Sequence, residues 1–305
     1  MKRMSITLSI KTNQPTNQPT NKITKDIQMK PDIFSTIAAR KMKQGAFIVR
    51  NHINKGLNKA LAKVLKYKGS LVLYKGISLL DNETPIMVVM SGYDKDSQNE
   101  KTGPLVQLYI LPVHILPKDA YTSGSLSVCG DCKYNGNNGC YVRWSHLRGI
   151  WTSAKSQPVI PTKHAKEFVK GLRVRVGAAG DPSAVPFSFW DSLLSSCENH
   201  TGYTHQWNKD EFQELSSLFV ASTDSKEETR EANEKGWSTF EVIDNEKPSN
   251  KSILCLATDE TKSKDGLPFS CASCMLCNGK GKEKNIYVQL HGATNTVAKA
   301  RKARA

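Results

Sequence analysis

Seven of the eight cysteines in this chain stand at metal-ligand spacing, and nothing else in the sequence restricts its fold as tightly. Cys129, Cys132 and Cys140 form a C-x2-C-x7-C group within SVCGDCKYNGNNGCYV. Cys271, Cys274 and Cys277 form C-x2-C-x2-C within SCASCMLCNG, and Cys255 precedes Cys271 by 16 residues. Packing rarely asks for three thiols in so short a run, whereas a metal centre does. The distal set matches the ligand pattern of a [4Fe–4S] cubane, in which each thiolate binds a different iron. Structural zinc is the alternative, although it usually draws its cysteines as pairs from two separate knuckles. Asn278 and Gly279 after the last ligand allow a tight turn.

The first group offers three thiolates, with Gly130 and Gly139 giving the backbone freedom to wrap a centre. Two accounts stand. Either a histidine or Cys197 completes a closed structural site, or the fourth position is left open, as catalysis on a metal requires. Cys197 itself reads as a small buried hydrophobe in an amphipathic helix.

Composition sets the surroundings. At 38% hydrophobic residues the chain can bury a core. No apolar run reaches the roughly 18 residues of a membrane span, and the start MKRMSITLSIKTNQ lacks a secretory apolar stretch. Without secretion, clustered cysteines favour metal over disulfides, and a cytoplasmic setting is expected. The net charge of +15 is unevenly placed: residues 1–68 carry 15 Lys/Arg against Asp26 and Asp32. The basic segment reads as a solvated arm and helix, as a phosphate contact for DNA or RNA, or, more weakly, as an organelle-targeting stretch.

Residues 1–45, with the low-complexity NQPTNQPTN, are expected as a disordered basic arm. Residues 46–295 are expected as one α/β metal-binding domain, and 296–305 as a flexible basic tail. Order is expected from near Asn54, where Leu57, Leu61, Val64 and Leu65 recur on one helical face. Strand-like runs follow at 71–80, 85–91 and 105–111, an antiparallel or mixed unit. Helices over 141–156, 163–171, 184–199 and 224–236 then alternate with strands at 172–177, 217–223, 237–243 and 285–292. Asp224 is the expected N-cap and Gly236 the C-cap of the fourth helix. Phe189, Leu193 and Leu194 are the expected inner face of the third. This alternation predicts a partial TIM-barrel-like or open parallel sheet.

Two polar groups accompany the strands. VRVGAAGDPSAVP sets Gly177, Gly180, Asp181 and Pro182 at the carboxyl end of a strand, where α/β folds bind ligands. Asp181 is there either a ligand contact or a helix N-cap. NHTGYTHQW packs His200, Tyr203, His205, Gln206 and Trp207 together, either as a proton-transfer and stacking surface or as a half-buried strand. His291 ends the last strand. Walker, GxGxxG and HExxH patterns are absent.

TGPLVQLYIL, SVCGDCKYNGNNGCYV, RVGAAGDPSAVPFSFW, HTGYTHQW, EKGWSTFEV and the distal cysteines ending in QLHGA resemble a family of uncharacterised phage and prophage proteins, over about residues 54–293. More distantly, the chain is similar to radical S-adenosylmethionine barrels. Gly180, Asp181 and Pro182 resemble their Gly-Gly-Glu-Pro turn, and the distal cysteines resemble an auxiliary-cluster extension. The chain departs from them in its C-x2-C-x7-C spacing and in Asp where they carry Glu. The resemblance implies a [4Fe–4S] cluster on Cys129, Cys132 and Cys140 and a second on Cys255, Cys271, Cys274 and Cys277. It also implies S-adenosylmethionine at Gly177, Gly180, Asp181 and Tyr203, with Asp181 and His205 as the catalytic pair. The expected substrate is a nucleotide or nucleic acid, and the setting the host cytoplasm if the chain is phage-encoded. A non-enzymatic zinc protein whose arm binds DNA or RNA is the competing expectation.

Overall fold

A computed structural model describes residues 33–97, 99–258, 269–279 and 285–305. The chain divides into two units, residues 1–43 and 44–305. Most of the expected basic arm lies outside the described residues. Its end does not: α1 (Ile33–Val64) is already helical at Ile33, well before the expected start near Asn54.

Within the second unit, ten strands among the described residues form two five-stranded sheets. The first has the order β1-β2-β3-β4-β5, from β1 (Leu71–Ile77), β2 (Pro85–Ser91), β3 (Val106–Pro112), β4 (Arg173–Ala179) and β5 (Asn199–Thr201). Its first three strands pair antiparallel; β3–β4 and β4–β5 pair parallel. The second sheet has the order β6-β7-β8-β10-β9 and is parallel throughout. It comprises β6 (Tyr203–Thr204), β7 (Val220–Thr223), β8 (Thr239–Ile243), β9 (Ile253–Leu254) and β10 (Asn285–Gln289). β5 and β6 flank Gly202, so the segment 199–204 serves both sheets. The fold is therefore mixed α/β, with an antiparallel unit leading into parallel strands.

Burial explains the sequence texture. Ile86–Met90 of β2 are all buried, which is why that strand reads as an unbroken apolar run. Trp190, Trp237, Tyr93, Phe168 and Phe219 are the largest fully buried side chains. They are covered by α2 (Pro117–Thr122), α3 (Arg148–Ala154), α4 (Thr162–Val169), α5 (Phe187–Leu194) and α6 (Lys226–Glu234), with the 3-10 turns between them. On α5 the inner face is Trp190, Leu193 and Leu194, with Phe189 only half-buried. The indole N–H of Trp190 reaches Pro182 O at 2.8 Å and turns that ring inward. On α6 the N-cap is Ser225, whose hydroxyl accepts from Glu228 N, in place of the expected Asp224. Asp224 is occupied elsewhere, as described below.

Two expectations are corrected. The inner stripe of α1 is Phe47, Asn51, Lys55, Asn58 and Ala62, all under 7% exposed; of the expected face Leu61 and Leu65 do pack, partly buried, against the core, while Leu57 and Val64 are 64% and 76% exposed. The reason is backbone demand. Carbonyls of loops and of the last turn of α4 lack backbone partners, and α1 supplies donors: Asn58 Nδ2 to Tyr93 O and to Phe168 O of α4, Lys55 Nζ to Lys95 O and Pro104 O, Asn54 Nδ2 to Gly171 O. Second, residues 296–305 are no loose tail. They belong to α8 (Thr294–Arg304), held by Arg301 on Asp244 at 2.7 and 2.9 Å and by Arg304 on Asp224 O. No helix among the described residues is long and apolar enough to cross a membrane.

Candidate metal centre

The first cysteine loop follows α2 and is pinned at both ends. Asn135 Nδ2 donates to Ser125 O at 2.8 Å, and Asp181 N donates to Val128 O at 2.6 Å, tying the loop to the end of β4. Lys133 pairs with Asp224 at 3.3 Å and Glu228 at 3.1 Å, and Tyr134 Oη donates to Asp224 Oδ1 at 2.5 Å. The buried Asp224, at the carboxyl end of β7, thus anchors the loop to the second sheet. At Gly139 the φ is +97°, and a Cβ would strike the backbone of Ala300 in α8. Only glycine lets loop and helix meet there.

The distal loop is built differently. α7 (Cys271–Cys274) is a single turn closed by a capping box between Ser270 and Ser273 and ended by Met275 in the left-handed region. Cys271 N and Ala272 N donate to Lys101 O and Thr102 O, docking α7 beside β3. Phe47, Leu105, Ala272 and Met275 form a small core beneath it.

One cavity of about 340 Å³ receives both loops. Cys129, Cys132 and Cys140 line it, and so do Cys255, Cys271, Cys274 and Cys277. Its walls are side chains of the parallel strands, Phe240, Val242, Ile286 and Val288 among them, and α8 contributes Thr296, Val297 and Ala300. Two sets separated by more than a hundred residues therefore share one chamber.

The thiols are strongly desolvated. Burial pushes Cys129 well up, and the neighbouring Cys132 and Cys140 push it further. Burial lifts Cys140 to about 11, opposed by the N–H groups of Val142 and Trp144. Burial likewise lifts Cys277, and Cys255, Cys271 and Cys274 add to the effect. Cys274 is raised to about 11 by burial, opposed by Leu276 N–H. In each loop the N–H two residues past a cysteine faces its sulfur, a donor that favours thiolate. The buried Trp144 indole N–H makes no formed hydrogen bond, and Cys140 sulfur is the acceptor beside it. Such a donor suits a thiolate bound to metal. Among the described residues, no three Cys, His, Asp or Glu side chains are gathered tightly enough to hold a single ion.

The expected polar residues separate into two groups. Asp181 is 5% exposed and acts as the N-cap of the 182–184 turn. Its Oδ1 accepts from Ser183 N, Ser183 Oγ and Thr204 Oγ1, and its Oδ2 accepts from His205 N. It also lines the cavity, as do Gly177, Gly180, Tyr203 and His205. Gly180, at φ +81°, lies so close to Ile110 of β3 that a Cβ would collide with its carbonyl. His205 sits 3.9 Å from Asp181 through Nδ1. Burial alone would lower its pKa, but the Cys132 sulfur, Asp224 and Asp181 outweigh burial and carry it up to about 10. His205 is thus the histidine beside the first group. Cys197 is not beside it: its thiol donates to Leu194 O at 3.0 Å, away from the chamber. His200 and Trp207 turn to Leu218 O and Ser222 O, serving the core. His291 stands at the chamber rim, exposed, with Nε2 2.8 Å from Lys101 Nζ.

Arg175, Tyr141, Tyr134 and Trp144 also line the chamber; the first three stand inside the motif stretches without a role assigned to them there, and Trp144 lies outside those stretches. One signal does exist: LRVRVG puts arginines at alternate positions of a strand inside a sheet, where parallel strands are normally apolar on both faces. No family model, curated protein or solved structure matches the chain.

Proposed function

We propose that this chain is an iron–sulfur protein of radical-S-adenosylmethionine-like type, acting on a small molecule held between two cysteine-bound centres. The observation carrying this reading is the single chamber lined by all seven spaced cysteines at the carboxyl side of parallel strands. Two closed zinc staples would need no shared apolar chamber. A tetrahedral zinc also draws its sulfurs to about 3.8 Å from one another, given bonds of about 2.3 Å; cubane thiolates, each on a different iron, stand further apart. The parallel series from β3 to β9 would then be a partial barrel closed by α8.

In this reading Cys129, Cys132 and Cys140 hold one cluster, leaving a position for a cofactor, and Cys255, Cys271, Cys274 and Cys277 hold another. A cluster held by Cys129, Cys132 and Cys140 would supply one-electron chemistry to a bound S-adenosylmethionine. The chain's own residues do the rest. Gly177 and Gly180 keep the β4 turn low enough for the cofactor to approach. Asp181 fixes the 204–205 backbone, and through it the His205 ring beside Cys132. His205 holds a proton at the chamber wall. Tyr203, stacked on Phe240 at 5.3 Å, presents a flat face to the ligand. The apolar walls exclude water. The basic segment 1–68 would bring a nucleotide or nucleic acid by its phosphates.

Anaerobic purification and reconstitution test the reading. It expects a brown protein absorbing near about 400 nm with about four or eight irons and as many sulfides per chain. Cys132→Ala and Cys274→Ala should each remove one centre. A colourless protein carrying zinc alone would overturn it in favour of the non-enzymatic zinc protein.

A further inference from the structure

β4 carries two arginines on the same face, and they meet different fates. Arg173 pairs with Glu198 at 2.7 and 3.1 Å, donates to Ala272 O and lies 3.9 Å over the Phe47 ring. Arg175, two residues on, lines the chamber and has no carboxylate within ion-pair distance among the described residues. Its guanidinium faces the hydroxyls of Tyr141, at 3.3 Å, and Tyr203, which are themselves 3.0 Å apart. Arginine stays charged in proteins; Arg175 is half-buried and Tyr141 is 56% exposed, so the fork is partly screened by solvent, and besides the two hydroxyls the Cys271 sulfur acts on it. The planar fork with a hydroxyl pair beside it matches the geometry of a carboxylate or phosphate. The neighbouring Tyr203–Phe240 stack, tilted by 17°, offers a surface for a flat organic body.

We propose that Arg175, with Tyr141 and Tyr203, forms an anion subsite that grips the carboxylate or phosphate of a small, flat substrate in the chamber. The inference deepens the function proposed above, on which the word substrate rests. The subsite itself stands on a guanidinium with no carboxylate partner among the described residues and on the cavity it lines. Charge then decides admission: an anion of the right shape pairs with the guanidinium fork, and its neutral counterpart does not.

Equilibrium binding to the reconstituted full chain tests this, with iron and zinc counted on every sample. The probes are adenosine 5′-monophosphate and benzoate, their uncharged counterparts adenosine and benzyl alcohol, and S-adenosylmethionine. The wild type should bind at least one anion and neither neutral probe. Arg175→Met should weaken that anion at least about 30-fold, the lower end for truncating a buried charge pair. Arg175→Lys and Tyr141→Phe should give smaller losses, and these milder variants keep the test decisive if Arg175→Met does not fold. Preference between phosphate and carboxylate identifies the substrate's anionic group. No anion binding by iron-loaded wild type overturns the subsite, as does equal affinity in all variants. Loss of iron in Arg175→Met with anion affinity kept assigns the guanidinium to the cluster's charge and overturns it too. Loss of S-adenosylmethionine binding alone assigns Arg175 to the cofactor and likewise overturns the subsite. Arg175-dependent anion binding in a protein holding only zinc keeps the subsite and removes the iron–sulfur reading.

Discussion

At Asp181 one carboxylate accepts four hydrogen bonds from three residues, so its loss strands several donors at once. Asp181→Ala should cost about 2–4 kcal/mol, given about 1–3 kcal/mol for each buried group left unpaired and partial relaxation. The shift of the urea midpoint at constant slope measures it; a change under about 0.5 kcal/mol would mean the clasp is not formed. The sequence leaves Asp181 between N-cap and ligand contact. The fold shows both its cap geometry and its place on the chamber wall, because Thr204 and His205 lie across a sheet boundary that spacing cannot reveal. The cysteines sort just as clearly. Cys197→Ala should leave metal content unchanged, whereas Cys129→Ala should lower it, as inductively coupled plasma analysis would report. Cys197 is legible as a packing residue from its helix. Arg175 is not legible as a chamber residue, because a strand pattern with two arginines does not say which of them finds an acid.

α1 shows why periodicity identifies a helix yet misjudges its inner face. Of its expected apolar face Leu61 and Leu65 pack against the core but Leu57 and Val64 face solvent, while Asn58 is 6% exposed and serves the carbonyls of Tyr93 and Phe168. Leu57→Ser should therefore change stability by less than about 0.5 kcal/mol, and Asn58→Ala should destabilise by about 1–3 kcal/mol. The reverse ranking in thermal or chemical unfolding would refute this inner stripe. The β1–β2 turn adds a pH-dependent element. Asp81 accepts from Glu83 N, Thr84 N and Thr84 Oγ1. Partial burial raises its pKa, but these hydrogen bonds outweigh burial and hold it below the usual carboxylate range. A depressed folded pKa contributes stability above the unfolded value of about 3.9, and this is lost as pH falls through the folded value. The stability gap between wild type and Asp81→Ala should be about 1 kcal/mol at neutral pH and should narrow below about pH 3.9. The strands themselves are legible because β-branched runs and turn residues mark them. β6 and β9, two residues long each, carry too little pattern.

For the whole molecule, α8 decides whether the chamber is covered. Gly139→Ala forces a Cβ against Ala300 at a φ that alanine rarely adopts, so α8 should loosen and stability should fall by more than about 1 kcal/mol. Faster tryptic cleavage at Arg301 and Lys302, with β-sheet content kept, is the expected signature; unchanged cleavage would mean that α8 is not held there. Sequence alone established the two cysteine sets, the antiparallel unit leading into parallel α/β strands, and the concentration of positive charge in residues 1–68, because spacing, periodicity and charge are local properties. Tertiary structure alone decided that the two sets face one cavity, that Asp224 anchors the first loop instead of capping α6, that α8 lines the chamber, and that Arg175 finds no carboxylate among the described residues. Each of these depends on which residues of distant segments meet when β4, β7, β8 and β10 align. Strand order and register fix that meeting, and neither is written in the spacing of residues along the chain.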